Sequence, residues 1–252
     1  MSHAACTQFV ARNLTDEVVS GENLRVLEVG SYDPDGGFRA LTEQHGGFAE
    51  YVGVDLREGP GIDFVCEAEH LVERFGESSF DLVIAVELLE HVRDWREAVS
   101  NLKKVCKPDG AIIVTTRSRG YPYHAAPYDF WRFETEDFKN IFSDCHQVLL
   151  EKDWESPGVF AAVRKPRDFR ENDLAAYCLY CIITNRRQRD VNFDEMSEAR
   201  ILLLVAAAKL RQVVSWLLTG SKKDLRITAR GQFNELCNLL AMLRRSNRPL
   251  KM

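Results

Sequence analysis

The chain of 252 residues carries only 15 Gly and 8 Pro and no serine bias, which excludes collagen-like and low-complexity character. It also lacks an apolar run long enough to cross a bilayer. The most apolar stretch, Ile201 to Leu218, is interrupted by Lys209, Arg211 and Gln212. Its uninterrupted part, Ile201 to Ala208, is far short of the roughly 20 residues a spanning helix needs. A buried or oligomer-forming helix is expected there. Met1 to Leu14 has no apolar core of signal-peptide type, so a cytoplasmic location is expected. The seven cysteines, at positions 6, 66, 106, 145, 178, 181 and 237, are odd in number and scattered, several within apolar runs such as Phe64-Val65-Cys66. That excludes a disulfide scaffold and reads as reduced, buried thiols. Cys178 and Cys181 have CxxC spacing but no second pair and no nearby His, and read as one face of a helix. Positive charge is not in excess either: 33 Lys plus Arg stand against 38 Asp plus Glu, a net charge of −5, which argues against a general nucleic-acid binder. That total hides an asymmetry. Residues 1–167 hold 18 basic and 29 acidic side chains, residues 168–252 hold 15 and 9.

With 45% apolar and 28% charged residues, the composition is that of a soluble globular protein able to bury a sizeable core. Short apolar runs read as strands at 24–29, 51–55, 62–66, 80–86, 111–116, 148–151 and 159–163. Helical segments at 38–44, 68–75 and 95–105 separate the first five. This alternation predicts an α/β fold, a Rossmann-like, seven-stranded, mostly parallel sheet with helices on both faces. Lys107-Pro108-Asp109-Gly110 reads as a turn that stops a helix and launches the fifth strand. Only Lys152 to Gly158 separates the last two strands, too little for a parallel crossover, so an antiparallel hairpin is expected at the C-terminal edge. Beyond Lys165-Pro166-Arg167 the pattern predicts an all-helical extension, with helices at about 171–184, 194–219 and 224–245 and a break at Gly220-Ser221. The expected division is 1–166 and 167–252, the second part serving as acceptor lid, docking module or homo-oligomer surface.

In open sheets of this kind ligands bind beyond the carboxyl ends of the strands. The first strand runs into Glu28-Val29-Gly30-Ser31-Tyr32, where Gly30 permits close backbone approach. The second ends in Asp55-Leu56, an acid placed to hydrogen-bond a ribose. The third ends Cys66-Glu67-Ala68, small and polar groups suited to a purine edge. Tyr32 and Asp35 break a dinucleotide glycine pattern, and Asp33 and Asp35 would repel a pyrophosphate but not a cationic sulfonium. The electrostatics therefore favour S-adenosylmethionine over NAD.

Val26 to Ser31, Val54-Asp55, Phe80 to Ala85, Glu90-His91-Val92 and Lys107 to Gly110 together resemble, in order and spacing, the motifs of the class I S-adenosylmethionine-dependent methyltransferases, over about residues 20–165. The resemblance implies that Gly30 and Ser31 cradle the methionine part, Asp55 holds the ribose, Glu67 and Ala68 flank the adenine, and Ala85, Val86 and Glu87 line the sulfonium side. The family's usual second glycine is Tyr32 here.

Methyl transfer is an in-line displacement, so the protein has to align a nucleophile and, for a hydroxyl, take its proton. On a helix, Glu87, Glu90 and His91 share a face at i, i+3, i+4, and Glu-x-x-Glu-His resembles the metal motif of small-RNA and quinone-pathway O-methyltransferases. Carried over, Glu87, Glu90, His91 and His124 would hold Mg²⁺ or another divalent ion. Residues 117–133 pack aromatic rings, three Arg, His124 and Asp129 into one segment, a mix that suits an acceptor pocket. His124 is the leading general base. Asp129 and Arg132 either orient it and clamp the acceptor or form a buried structural pair. The acceptor expected is a hydroxyl on a small molecule or glycan; alternatives are an RNA or protein acceptor docked by the basic tail, and an inactive methyltransferase-like assembly subunit. No Asn-Pro-Pro-Tyr tetrad follows the fourth strand, which lowers a DNA-base acceptor.

Overall fold

The architecture is taken from a computed structural model, which describes residues 3–15, 22–32, 38–45, 47–124, 128–192, 201, 203–207 and 210. The chain divides into two compact units, Met1–Tyr121 with Ala125–Val191, and Pro122–His124 with Asn192–Met252.

The first unit holds a seven-stranded sheet built from β1 (Leu24–Val29), β2 (Phe48–Asp55), β3 (Phe64–Val65), β4 (Phe80–Val86), β5 (Cys106–Arg117), β7 (His146–Lys152) and β8 (Gly158–Arg164), in the order β3-β2-β1-β4-β5-β8-β7. The first five strands run parallel; β8 pairs antiparallel with β5 and with β7. The expected mostly parallel sheet with its antiparallel C-terminal strands is thus present. β1, β4 and β5 are covered on both faces, which is why they read as nearly continuous apolar runs. Val26, Leu82, Ile84 and Ile113 are fully buried. The helices α2 (Arg39–His45), α3 (Leu71–Phe75) and α4 (Trp95–Val105) lie where apolar periodicity put them. Lys107 to Gly110 is absorbed into β5 as a bulged entry, with Asp109 at φ 61 and a register shift against Phe80 and Leu82.

Two helices in this unit were not expected. In α1 (Ala4–Asn13), Ala5, Cys6, Phe9 and Val10 form a fully buried stripe in the core beside Ile84, Ile113 and Phe160. The stripe repeats at four-residue steps, but over too few turns to stand out. α5 (Thr135–Ile141) starts at a capping box between Glu134 and Asp137.

The helix expected at 171–184 is a correction. That segment contains β9 (Leu179–Cys181), which forms an antiparallel hairpin with β10 (Arg186–Gln188) and pairs with β6 (Trp131–Arg132) in a second sheet. β-branched and aromatic residues (Tyr177, Tyr180, Ile182, Ile183, Thr184) lead into a turn in which Asn185 takes φ 59, a conformation Asn tolerates better than most. Cys178 and Cys181 are therefore not on one helical face; both are free thiols, Cys181 buried. The first unit continues through Val191, past the break expected at Pro166, because this segment is pinned to it. Arg96 donates to the carbonyls of Leu174 (2.9 Å), Tyr177 (2.7 Å) and Arg189 (2.6 Å). Buried Lys103 bonds Asp144 (2.7 Å) and Asn172 (3.1 Å).

In the second unit the described residues from Ile201 to Leu210 are helical, within the helix expected at 194–219. The expected break at Gly220-Ser221 and the helix at 224–245 lie outside the described residues.

Candidate active site

Gly30, immediately after β1, has φ 81. Its N–H and that of Ser31 both donate to the Val54 carbonyl, at 2.9 and 3.0 Å, so the chain turns sharply over the end of β2. A Cβ on Gly30 would lie 3.2 Å from Leu88 Cδ1. The Tyr32 N–H reaches Asp55 Oδ2 at 3.4 Å, which joins the glycine turn to the half-buried acid ending β2. Ser31 Oγ donates to the Gly61 carbonyl (3.1 Å), while Asp63 accepts from the Gly53 N–H (2.7 Å) and pairs with Arg39. The loop between β2 and β3 is thus tied back under the turn. At Gly53 a Cβ would stand 2.1 Å from the Gly61 carbonyl oxygen; only hydrogen fits.

Glu28 is buried within β1 and accepts a hydrogen bond from the Tyr51 hydroxyl. Burial, and then the charge of Glu28, push that hydroxyl far above its usual range. Leu56 and Tyr32 are exposed, with Arg57 over the Tyr32 ring at 4.2 Å. Ala68 is buried, and exposed Glu67 pairs with His70 at 3.6 Å. Ala85 is buried and Val86 half-buried at the end of β4. A left-handed glycine, a carboxylate one strand away and small residues at the third and fourth strand ends fit a nucleoside with an extended amino-acid tail. Asp33 and Asp35 lie outside the described residues.

On the acceptor side the shared helical face is not found. Glu87 takes φ 52 and only Leu89–His91 forms a single 3₁₀ turn, so the acids diverge. Glu87 Oε1 accepts from Thr115 Oγ1 (3.1 Å) and its other oxygen pairs with Arg117. Burial first, then the charge of Glu90, push the Glu87 carboxyl up to about 8 against the opposing pull of Arg117. Glu90 is fully buried and accepts from Thr116 Oγ1 at 2.7 Å. Its Oε1 lies 4.0 Å from His91 Nε2, while His91 Nδ1 is 2.6 Å from the Tyr128 carbonyl. A carbonyl only accepts, so Nδ1 carries a proton in that contact, and Nε2 is the nitrogen that faces Glu90.

Arg132 donates to both Asp129 oxygens (2.5 and 2.6 Å) and to the Tyr121 carbonyl (3.2 Å), with both side chains fully buried. The pair is buried and bidentate where the chain enters the strand at Trp131–Arg132, the geometry of the second of the two readings the sequence left open. His124 belongs to the second unit.

Three residues at this edge escaped the sequence reading. His3 precedes α1, Cys6 sits in its first turn, and Asp153 follows β7. His3 Nε2 is 2.6 Å from Asp153 Oδ2, and Arg117 reaches Asp153 (3.4 Å), Ser156 Oγ (2.8 Å) and His3 Nδ1 (3.3 Å). Their signal is tertiary: residues 3 and 153 meet only because β8 runs antiparallel to β5.

A family profile described as a methyltransferase domain matches residues 2–154. Among curated proteins, the ubiquinone biosynthesis O-methyltransferase of Idiomarina loihiensis is 33% identical over 108 residues, 38% of this chain and 43% of that protein. The compactin diketide synthase of Penicillium citrinum is 24% identical over 190 residues, 72% of this chain and 7% of that protein. The chain thus spans less than half the length of either relative. Among solved structures, the 1,6-didemethyltoxoflavin-N1-methyltransferase of Burkholderia thailandensis, with S-adenosylhomocysteine bound, superposes with a TM-score of 0.52 at 18% identity, covering 65% of this chain and 79% of that one. With the strand order, the glycine turn and the acid ending β2, these matches place the chain in the class I S-adenosylmethionine-dependent methyltransferases.

Proposed function

We propose that the protein transfers a methyl group from S-adenosylmethionine to a hydroxyl oxygen of a small-molecule or sugar acceptor. In this reading Gly30, Ser31 and Tyr32 carry the methionine part of the cofactor, Asp55 and Leu56 the ribose, Glu67 and Ala68 the adenine, and Ala85 and Val86 the sulfonium side. Glu28 supports the turn from within β1.

The observation that carries the choice of oxygen is the Glu90–His91 pair. A buried carboxylate oxygen lies 4.0 Å from an imidazole nitrogen whose partner nitrogen is fixed by the Tyr128 carbonyl. That outer-nitrogen contact is the arrangement adopted by metal-ligating histidines, and the oxygen and nitrogen donors suit Mg²⁺ or a similar divalent ion. Bound there, the ion would lower the pKa of an acceptor hydroxyl. The sequence also offers His124 as a general base. The local 33% identity to an O-methyltransferase supports the same choice.

The test is incubation with methyl-labelled S-adenosylmethionine and a panel of phenols, catechols, sugars, amines and active-methylene compounds, before and after chelation. Label on oxygen, lost on chelation and restored by a divalent ion, is the expected result. Label exclusively on nitrogen or carbon rejects the oxygen acceptor; unchanged O-methylation after chelation rejects the metal.

A further inference from the structure

We propose that His3, Cys6 and Glu87 form a site for a divalent transition-metal ion of the zinc and cobalt class, separate from the Glu90–His91 pair. One donor atom from each residue lies within 4.8 Å of the others. His3 and Cys6 are one turn apart at the start of α1, and Glu87 leaves β4 toward them because of its left-handed backbone. His3 Nδ1 is 3.2 Å from Cys6 Sγ, while Nε2 is 2.6 Å from Asp153 Oδ2 and 3.9 Å from Glu155 Oε2. Carboxylates on the outer nitrogen keep the proton there and leave the inner lone pair facing the thiol, as in carboxylate–histidine–metal triads. The Thr115 hydroxyl braces the other two donors, 3.6 Å from Cys6 Sγ and 3.1 Å from Glu87 Oε1.

Sulfur, nitrogen and oxygen together select a borderline ion over Mg²⁺ or Ca²⁺, and three protein ligands leave a fourth tetrahedral position for water. Charge also balances. A Cys6 thiolate and the Glu87 carboxylate match a dication, while Asp153 and Arg117 offset each other just outside.

Arg117 is the competitor, since its guanidinium pairs with Glu87 and lies 3.3 Å from His3 Nδ1. It is also held by Ser156 (2.8 Å), by Asp153 (3.4 Å) and by the face of Tyr121 (4.1 Å), so it keeps partners when an ion takes Nδ1 and the carboxylate. Burial keeps the Cys6 thiol protonated and pushes the Glu87 carboxyl up to about 8 in the absence of an ion; on binding, both protons pass to solvent as the sulfur–metal and oxygen–metal bonds form.

The test titrates the full-length, metal-stripped protein with CoCl2 in excess MgCl2. One equivalent of Co²⁺ should give a near-ultraviolet thiolate-to-cobalt band and tetrahedral visible bands, both displaced by ZnCl2. C6S should abolish the thiolate band, and D153N should weaken cobalt binding roughly 10- to 100-fold as an outer partner of the ligand. H91Q should leave the band unchanged. Cys6 is buried, so H3Q, at a partly exposed position, serves where C6S fails to fold, and should weaken binding about tenfold or more. Absence of a thiolate band overturns the site, as does a band that persists in folded C6S, a cobalt affinity unchanged in H3Q, or a band lost in H91Q.

Discussion

Alanine at position 30 puts a methyl group 3.2 Å from Leu88 Cδ1 on left-handed backbone. G30A should cost about 1–2 kcal/mol from the backbone alone and weaken S-adenosylhomocysteine binding through the displaced turn, read by calorimetry. Unchanged binding would remove the turn from the cofactor site. At Gly53 the obstacle is a backbone oxygen, which cannot rotate away, so G53A should lower the melting temperature more than G30A does. The buried Asp129–Arg132 pair makes a different prediction. D129N leaves an uncompensated guanidinium, and breaking such a pair costs about 3–5 kcal/mol, measured by denaturant unfolding; a loss below about 1 kcal/mol would mean the pair is not holding the entry to β6. At this scale the sequence was legible where one residue does its work through its own backbone, as at Gly30, or by ending a strand, as at Asp55. It was not legible at Glu87, whose positive φ sends the carboxylate to Thr115 and Arg117 instead of along a helix with Glu90.

Among elements, those with long apolar periods or runs (β1, β4, β5, α4) follow directly from the chain. Those with short stripes do not. α1 buries Phe9 against Phe160, ring centroids 5.0 Å apart, and F9A should destabilise the protein by about 3–5 kcal/mol, as for other aromatic truncations in cores; a change under about 1 kcal/mol would show that α1 is dispensable. The hairpin of β9 and β10 is not legible in the chain: its strands are three residues each, too short for an alternation to stand out, and CxxC spacing fits a helix face equally well. Arg96 holds the carbonyls of residues 174, 177 and 189. R96A should therefore speed amide exchange across 172–190 and leave β4 and β5 protected. Equal protection in that segment would place its anchor elsewhere.

Over the whole molecule the charge asymmetry takes a sharper boundary from the structure. Residues 168–191 carry four basic and four acidic side chains, while 192–252 carry 11 and 5. The positive surplus thus begins where the first unit ends, at Val191, not at Pro166. We expect the later segment to carry self-association: the full chain should sediment as a homodimer, and a chain ending at Val191 should sediment as a monomer and still bind S-adenosylhomocysteine. A monomeric full chain would contradict this. If the basic segment instead docks RNA, a gel shift at physiological salt would retain the full chain's complex and lose that of the shortened one.

Pairing of β6 with β9 has one more consequence. The segment between β5 and β6 is fastened at Ser118, whose N–H bonds the Pro157 carbonyl at 3.2 Å, and at Phe130, bonded to the Glu90 carbonyl at 2.8 Å and to the Ile182 N–H at 2.9 Å. With both ends clamped to regular structure, lengthening the loop costs only loop-closure entropy, about 0.6 kcal/mol for each doubling. The scaffold can therefore take insertions of very different length and composition between Ser118 and Phe130 without rebuilding its sheet, which makes this span a natural place to graft new sequence.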